Sequence, residues 1–345
     1  MGKFMSKMVE GPAGGSAWAK EARQDPELRK FDLEGFTLAS GVKLPAGAVL
    51  AYRVYGEGPK LAVAGTSYGV THKQVEYHVG ETVDPKVYTF VVFNLMGNGV
   101  SYSPSNPGKG TYPLTPKEGP TIGDNVKAQK MALEADSQFG KGKKIDLVYG
   151  FSMGGMQALE WARAYPEDVK YSVPVCGSSG CNQINQMLCD ALASPLTNAL
   201  SLKVDKLKIF GLIFAGWYVG PDFYRLETYK EAGHKTLEDF EENFGRAFFK
   251  DMDPDDLLAQ LRTWRSTPVF SEEDCKKIKA KVLLLPCDGD TYFRPIDMEL
   301  LEQKFIPDCT TNVIESTWGH LAGTPDGLDK EFNFIKDSLH AFLAK

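Results

Sequence analysis

Apolar residues gather in short unbroken runs along most of this chain: "AVLAYRVYG" (48–56), "KLAVAG" (60–65), "YTFVVFNL" (88–95), "IDLVYG" (145–150) and "YSVPVCG" (171–177). Continuous valine-rich runs of this length are the pattern of strands buried on both faces. "FTLASG" (36–41), "KVLLLPC" (281–287) and "TTNVIES" (310–316) read as further strands. Stretches with helical spacing separate them, over 122–139 behind a Thr121 cap, 153–164, 295–304 and 328–343. Strand and helix in alternation predict an α/β fold with a mostly parallel central sheet, flanked by helices on right-handed crossovers.

The alternation stops between 180 and 270, where "CNQINQMLCDALA", "NALSLKVDKLKIFGLIFAGWY", "TLEDFEENFGRAFFK" and "DPDDLLAQLRTW" are all helical in pattern. Thr236 and Asp253 are suited to cap two of these helices, each with acidic residues close behind. A helical insertion here sits over the carboxyl ends of the strands, where open α/β sheets bind ligands. The expected organisation is a loosely ordered segment 1–28, a core made of 29–179 and 271–345, and a helical lid over 180–270.

At 345 residues the chain can bury about 75% of its unfolded surface. Net charge is −6 with no lysine or arginine run, which argues against nucleic acid or an anionic membrane as partner. The longest apolar run, "IFGLIFAGWYVG" at 209–220, is short of the roughly 20 residues that span a bilayer. The first 20 residues lack the apolar stretch of a secretory signal. The six cysteines are scattered without a Cys-x-x-Cys pair, so they read as reduced thiols of a cytoplasmic protein and not as a metal site.

The chemistry centres on "DLVYGFSMGGMQALEWARAYPEDV" (146–169), which starts as a strand and ends as a helix. Gly150-Phe151-Ser152-Met153-Gly154 fits the Gly-x-Ser-x-Gly nucleophile elbow, in which a strained turn exposes a serine hydroxyl. The following helix then offers backbone N–H groups to a developing oxyanion. A serine needs a base, and the base a carboxylate. After an elbow serine the chain order is acid, then histidine.

Three histidines follow Ser152: His234 in a polar turn of the insertion, His340 on a helix surface, and His320 in "STWGHLAG" after the last strand. Only His320 stands where a catalytic base belongs. "KVLLLPCDGDTYFRP" offers Asp288 and Asp290; Asp290 is the stronger candidate, with Asp288 suited to capping the loop, and spacing alone does not separate them. The Met153 N–H is the first oxyanion donor. The second comes from "AGTSYGVTHK", with Ser67 chosen over its neighbour Tyr68. His72 and His78 suit either the site's wall or a structural role. The insertion's aromatics suggest an apolar pocket, with Tyr68, Trp217 and Tyr218 as candidate lining.

With these residues aligned, the chain resembles the homoserine O-acetyltransferase-like branch of the α/β-hydrolase superfamily over about 51–327. "FSMGGMQALEWARAYPEDV", "VVFNLMGNGVSYSPSN", "TIGDNVKAQKMAL", "LPCDGDTYFRP" and "ESTWGHLAGTPDG" carry the likeness. It implies a triad of Ser152, Asp290 and His320 and an acyl-serine intermediate. The branch's acetyltransferases place a Gly-Gly and Thr-Gly-Pro loop after the fourth strand. Here that loop is Gly97-Asn98-Gly99 followed by Ser103-Pro104-Ser105-Asn106. They also hold the amino acid's carboxylate with an arginine, and no arginine lies between Arg163 and Arg225. The loop is closer to esterase-type members. It either shapes the pocket or packs beneath it.

The reading is therefore a serine esterase acting on a small ester or acyl substrate, without cofactor or metal. The alternative is an O-acyltransferase with acetyl-CoA as co-substrate. A non-catalytic receptor or scaffold of the same fold is the third, and the complete Ser–Asp–His set speaks against it. A homodimer through the lid helices is compatible with all three.

Overall fold

The computed structural model describes residues 16–115, 117–198, 203–324 and 327–344. Eight strands form one sheet: β1 (Arg29–Asp32), β2 (Val49–Tyr55), β3 (Lys60–Gly65), β4 (Tyr88–Phe93), β5 (Ile145–Phe151), β6 (Val169–Val175), β7 (Lys281–Leu284) and β8 (Cys309–Thr311). Their order is β1-β2-β4-β3-β5-β6-β7-β8. The β1–β2 and β2–β4 pairs are antiparallel and every other pair is parallel. This is the α/β-hydrolase fold. Every residue of β4 and all of β3 beyond Lys60 are buried, as unbroken apolar runs require.

The main helices are α1 (Ser16–Arg23), α2 (Ile122–Ala135), α3 (Met153–Ala164), α4 (Gln183–Thr197), α5 (Lys203–Tyr218), α6 (Pro254–Arg265) and α7 (Asp329–Leu343). Thr121 starts α2 with a reciprocal capping box to Asp124, whose other oxygen accepts the Ala39 N–H at 2.8 Å. Thr236 and Asp253 accept backbone N–H groups at the starts of Leu237–Phe240 and α6. The 295–304 stretch is two short helices, Pro295–Leu300 and Glu302–Phe305, rather than one.

Three expected strands differ; the one expected over 310–316 is β8, which ends at Thr311 and continues only as an isolated bridge at Ile314. Residues 36–41 make a tight turn with a single bridge, Thr37 to Lys43, because Gly35 and Gly41 both take positive φ. The strand from 281 stops at Leu284 and continues only as isolated bridges at Leu285 and Cys287, since Pro286 has no N–H to give.

The 1–28 segment is also corrected. Ala19 and Ala22 of α1 bury against Ala51 and Val100, Trp18 meets the Phe248 ring edge-on at 6.3 Å, and the Arg23 guanidinium donates to the Gly99 carbonyl. Asp25 reaches Lys73 Nζ at 3.0 Å, His72 Nε2 at 3.2 Å and Arg53 Nε at 3.3 Å. Small residues and one acid read as loose in isolation, but their partners lie far along the chain. The first 15 residues of that segment fall outside the described ones.

The helices between β6 and β7 stand above the strands' carboxyl ends, and α5 and α6 bring side chains to the elbow. Among the described residues no helix is long and apolar enough to cross a membrane.

Candidate active site

β5 ends at Phe151 and α3 begins at Met153, so one residue makes the whole turn. Ser152 sits at φ 55° and ψ −120°, a region non-glycine residues avoid. The approach is close enough to demand glycine. A Cβ on Gly150 would lie 2.3 Å from the Gly154 carbonyl oxygen, and one on Gly154 2.6 Å from that of Gly65.

The fold brings Ser152, His320 and Asp290 into one line. His320 Nε2 lies 2.9 Å from Ser152 Oγ, and His320 Nδ1 lies 2.7 Å from Asp290 Oδ2. The other Asp290 oxygen accepts the backbone N–H groups of Tyr292 (2.7 Å) and Phe293 (3.1 Å). All three side chains are buried. Asp288 faces elsewhere: its Oδ1 accepts the Ser316 N–H at 3.0 Å, tying the acid loop to the loop that bears His320. The rings of Phe151, Tyr292, Phe293 and Tyr218 surround the imidazole at 4.6–5.7 Å between centroids and fix its plane.

Beside the elbow runs the loop after β3. The Ser67 hydroxyl donates to the Phe151 carbonyl, and Gln157 Nε2 of α3 donates to the Thr66 carbonyl at 3.0 Å. Met153 opens α3, where the backbone N–H has no acceptor within its own helix. Ser67 and Ser152 line the same pocket, as does His320.

That pocket is walled by Tyr68, Phe214, Tyr218, Phe248, Trp264 and Tyr292. The cavity they enclose measures about 50 Å³. Of the three aromatics named from the sequence, Tyr68 and Tyr218 are lining residues. Trp217 is not: on α5 the wall is made at one helical spacing by Phe214 and Tyr218, a phase that turns Trp217 to an adjacent face. Phe248 and Trp264 are recruited from distant parts of the insertion, and no local spacing marks them.

No residue of 91–106 is among those lining this pocket; the loop packs against α6, where Gln260 Nε2 donates to the Gly97 carbonyl at 3.2 Å. Asp256 of α6 holds it, accepting Ser105 N–H at 2.9 Å and its hydroxyl at 2.6 Å. Burial, opposed by those two bonds, pushes the Asp256 carboxyl up to about 6.

The remaining histidines are structural or peripheral. His78 lines the pocket, but burial pushes it down to about 3, so it is neutral at any working pH. His72 is buried between Asn94 and Asp25. His234 packs on Phe240, and His340 reaches the Thr82 carbonyl at 3.3 Å. One neighbour went unforeseen. Cys176 closes β6 with φ 43°, wholly buried, and its sulfur, an Asp290 oxygen and a His320 nitrogen all lie within 4.8 Å of one another. Burial, then the nearby Asp290 charge, keep that thiol protonated.

Comparison with known proteins agrees with this architecture. Residues 64–323 match the model of the alpha/beta hydrolase fold family. An ethyl acetate hydrolase of Pseudomonas veronii is 30% identical over 299 residues, covering 81% of this chain and 83% of its own. A homoserine O-acetyltransferase of Trichormus variabilis is 26% identical over 204 residues, covering 52% of this chain and 54% of its own. The solved acetyl esterase MekB superposes with a TM-score of 0.86 at 25% identity, over 95% of this chain and 100% of that one. The chain belongs to the α/β-hydrolase fold family, and both acetyl-ester hydrolases and homoserine O-acetyltransferases are among its relatives.

Proposed function

We propose that this protein is a serine esterase that hydrolyses small esters through an acyl-Ser152 intermediate. The observation that carries the reading is the buried line Ser152 Oγ to His320 Nε2 to His320 Nδ1 to Asp290, opening on an apolar pocket. In this scheme Asp290 holds the imidazole with its proton on Nδ1, leaving Nε2 to accept. Ser152 Oγ attacks the ester carbonyl carbon while its proton passes to Nε2. The Met153 and Ser67 N–H groups stabilise the oxyanion, each worth about 2.7–4 kcal/mol of barrier. Collapse expels the alcohol, which takes the Nε2 proton. A water then gives a proton to Nε2 while its oxygen bonds the acyl carbon; the bond to Ser152 Oγ breaks, Oγ takes the Nε2 proton, and the acid leaves with Ser152 restored.

The ethyl acetate hydrolase and acetyl esterase relatives support ester hydrolysis over transfer. So does the pocket wall: among its described residues there is no lysine or arginine, and His78 is neutral. An amino-acid acceptor such as homoserine presents a carboxylate, which such a wall leaves unpaired.

The test is p-nitrophenyl acetate turnover with and without L-homoserine, products identified by mass, beside Ser152→Ala. Acetate release that ignores homoserine and vanishes in the variant is the expected result. O-acetylhomoserine as the product would replace hydrolysis by acyl transfer, and turnover that survives Ser152→Ala would remove the serine from the chemistry.

A further inference from the structure

Two residues that line the pocket each carry a buried polar atom without a hydrogen-bond partner. Tyr149 and Trp264 are 0% and 2% exposed, both line the pocket, and neither Tyr149 Oη nor Trp264 Nε1 has a hydrogen-bond partner among the described residues. They arrive from opposite layers. Tyr149 comes up from β5, three residues before Ser152, with the His78 ring 4.8 Å away. Trp264 comes down from α6 and packs on Tyr292 and Phe293 at 5.7 and 5.5 Å.

Folded proteins rarely leave such groups unpaired, so in the working enzyme these atoms meet either trapped water or bound substrate. The two cases differ in consequence. A plain alkyl chain entering the pocket displaces the water and returns nothing to either donor. A chain with an oxygen at the right place satisfies them, and sites built this way discriminate strongly against the analogue lacking the oxygen. An indole N–H only donates and a phenol donates or accepts, so the complement common to both is an acceptor oxygen. Burial keeps the Tyr149 phenol protonated throughout the working range.

We propose that the preferred substrates are short esters carrying a second oxygen function, a hydroxyl or keto group, in the part that fills this pocket, and that Tyr149 and Trp264 recognise that oxygen. The proposal rests on the esterase reading above. The small cavity confines it to short chains.

The experiment measures kcat/KM for matched pairs: ethyl lactate against ethyl propionate, ethyl 3-hydroxybutyrate and ethyl acetoacetate against ethyl butyrate, and 2-hydroxyethyl acetate against propyl acetate. The first pairs place the oxygen on the acyl side and the last on the alcohol side. The expected result is a preference of at least tenfold for one oxygenated ester over its partner. Tyr149→Phe and Trp264→Phe should each lower that ratio at least threefold, in proteins whose circular dichroism matches wild type. Pairs hydrolysed within threefold of each other, or a preference that survives both substitutions, overturn the proposal while leaving the esterase intact. If no ester is hydrolysed and a fluorophosphonate leaves Ser152 unlabelled, both readings fall together.

Discussion

The Gln157 side chain amide donates to the Thr66 carbonyl at 3.0 Å, joining the helix that starts beside Ser152 to the loop that carries Ser67. Its own oxygen accepts from Gln129 at 2.7 Å, and Gln129 in turn accepts the Trp161 indole N–H at 2.7 Å. All three residues are wholly buried. The two backbone amides assigned to the oxyanion are thus held in register by a polar chain running behind the site.

Gln157→Leu breaks that chain while roughly keeping volume. Loss of alignment at one oxyanion donor predicts a fall in kcat of about 10- to 100-fold with a smaller change in KM. The orphaned Gln129 amide predicts a stability loss of about 1–3 kcal/mol. Steady-state kinetics and urea unfolding measure the two effects, and a change confined to KM would disprove the positioning role.

The neighbouring carboxylates should separate cleanly. Asp290→Asn removes the acceptor that orients His320 and predicts a kcat loss on the order of 10³–10⁴-fold. Asp288→Asn touches the Ser316 N–H bond and a weak contact from the Cys287 thiol, and predicts about 1 kcal/mol of stability with kcat within a fewfold. Equal kinetic losses in both variants would contradict the separation.

Asp256 gives the protein an acid-favouring contribution. Its folded value of about 6 lies above the unfolded 3.8, so the folded state binds this proton more tightly. The contribution is full below about pH 4 and is lost as pH rises through about 6, by about 1–3 kcal/mol. Asp256→Asn can still pair with Ser105 and should flatten that part of the stability profile. Denaturant midpoints at pH 5 and pH 8 for both proteins provide the measurement.

Asp25 works with the opposite sign. Burial raises its carboxyl, but the Glu27 N–H and the Lys73 and His72 hydrogen bonds outweigh burial and hold it well below the usual range. Its contribution is therefore present above about pH 4 and fades as pH falls further. Asp25→Ala should cost on the order of 2 kcal/mol at pH 7, because His72 and Arg53 lose a buried anion. A melting temperature within one degree of wild type, by calorimetry, would show that the Asp25 cluster does not hold the N-terminal segment in place.

What could be read from the chain divides by range. The elbow is legible because a five-residue spacing forces its own turn, and the buried strands because their side chains are apolar on both faces. His320 follows from chain order along a parallel sheet, which leaves Asp288 and Asp290 both open; the family resemblance is what favours Asp290. Trp217 misled because its type suits a pocket wall, whereas helix phase decides which side it takes. Trp264, Tyr149 and Cys176 carry no local mark; the sheet order and the insertion's packing bring them to the site. The buried end of α1 was obscured for the same reason, since Asp25 finds its cations 28 to 48 residues away.

Ser152 and His320 are separated by 168 positions, and the loop bearing His320 follows β8, an edge strand of three residues. Contacts of such long range form late, after loop closure has been overcome. A ribosome that has released the elbow has made no base for it, and the nascent chain carries an inert hydroxyl until its last strand is paired. On refolding from denaturant, Ser152 reactivity toward a fluorophosphonate should therefore trail the return of helical ellipticity, and the interval between them times the docking of that final edge.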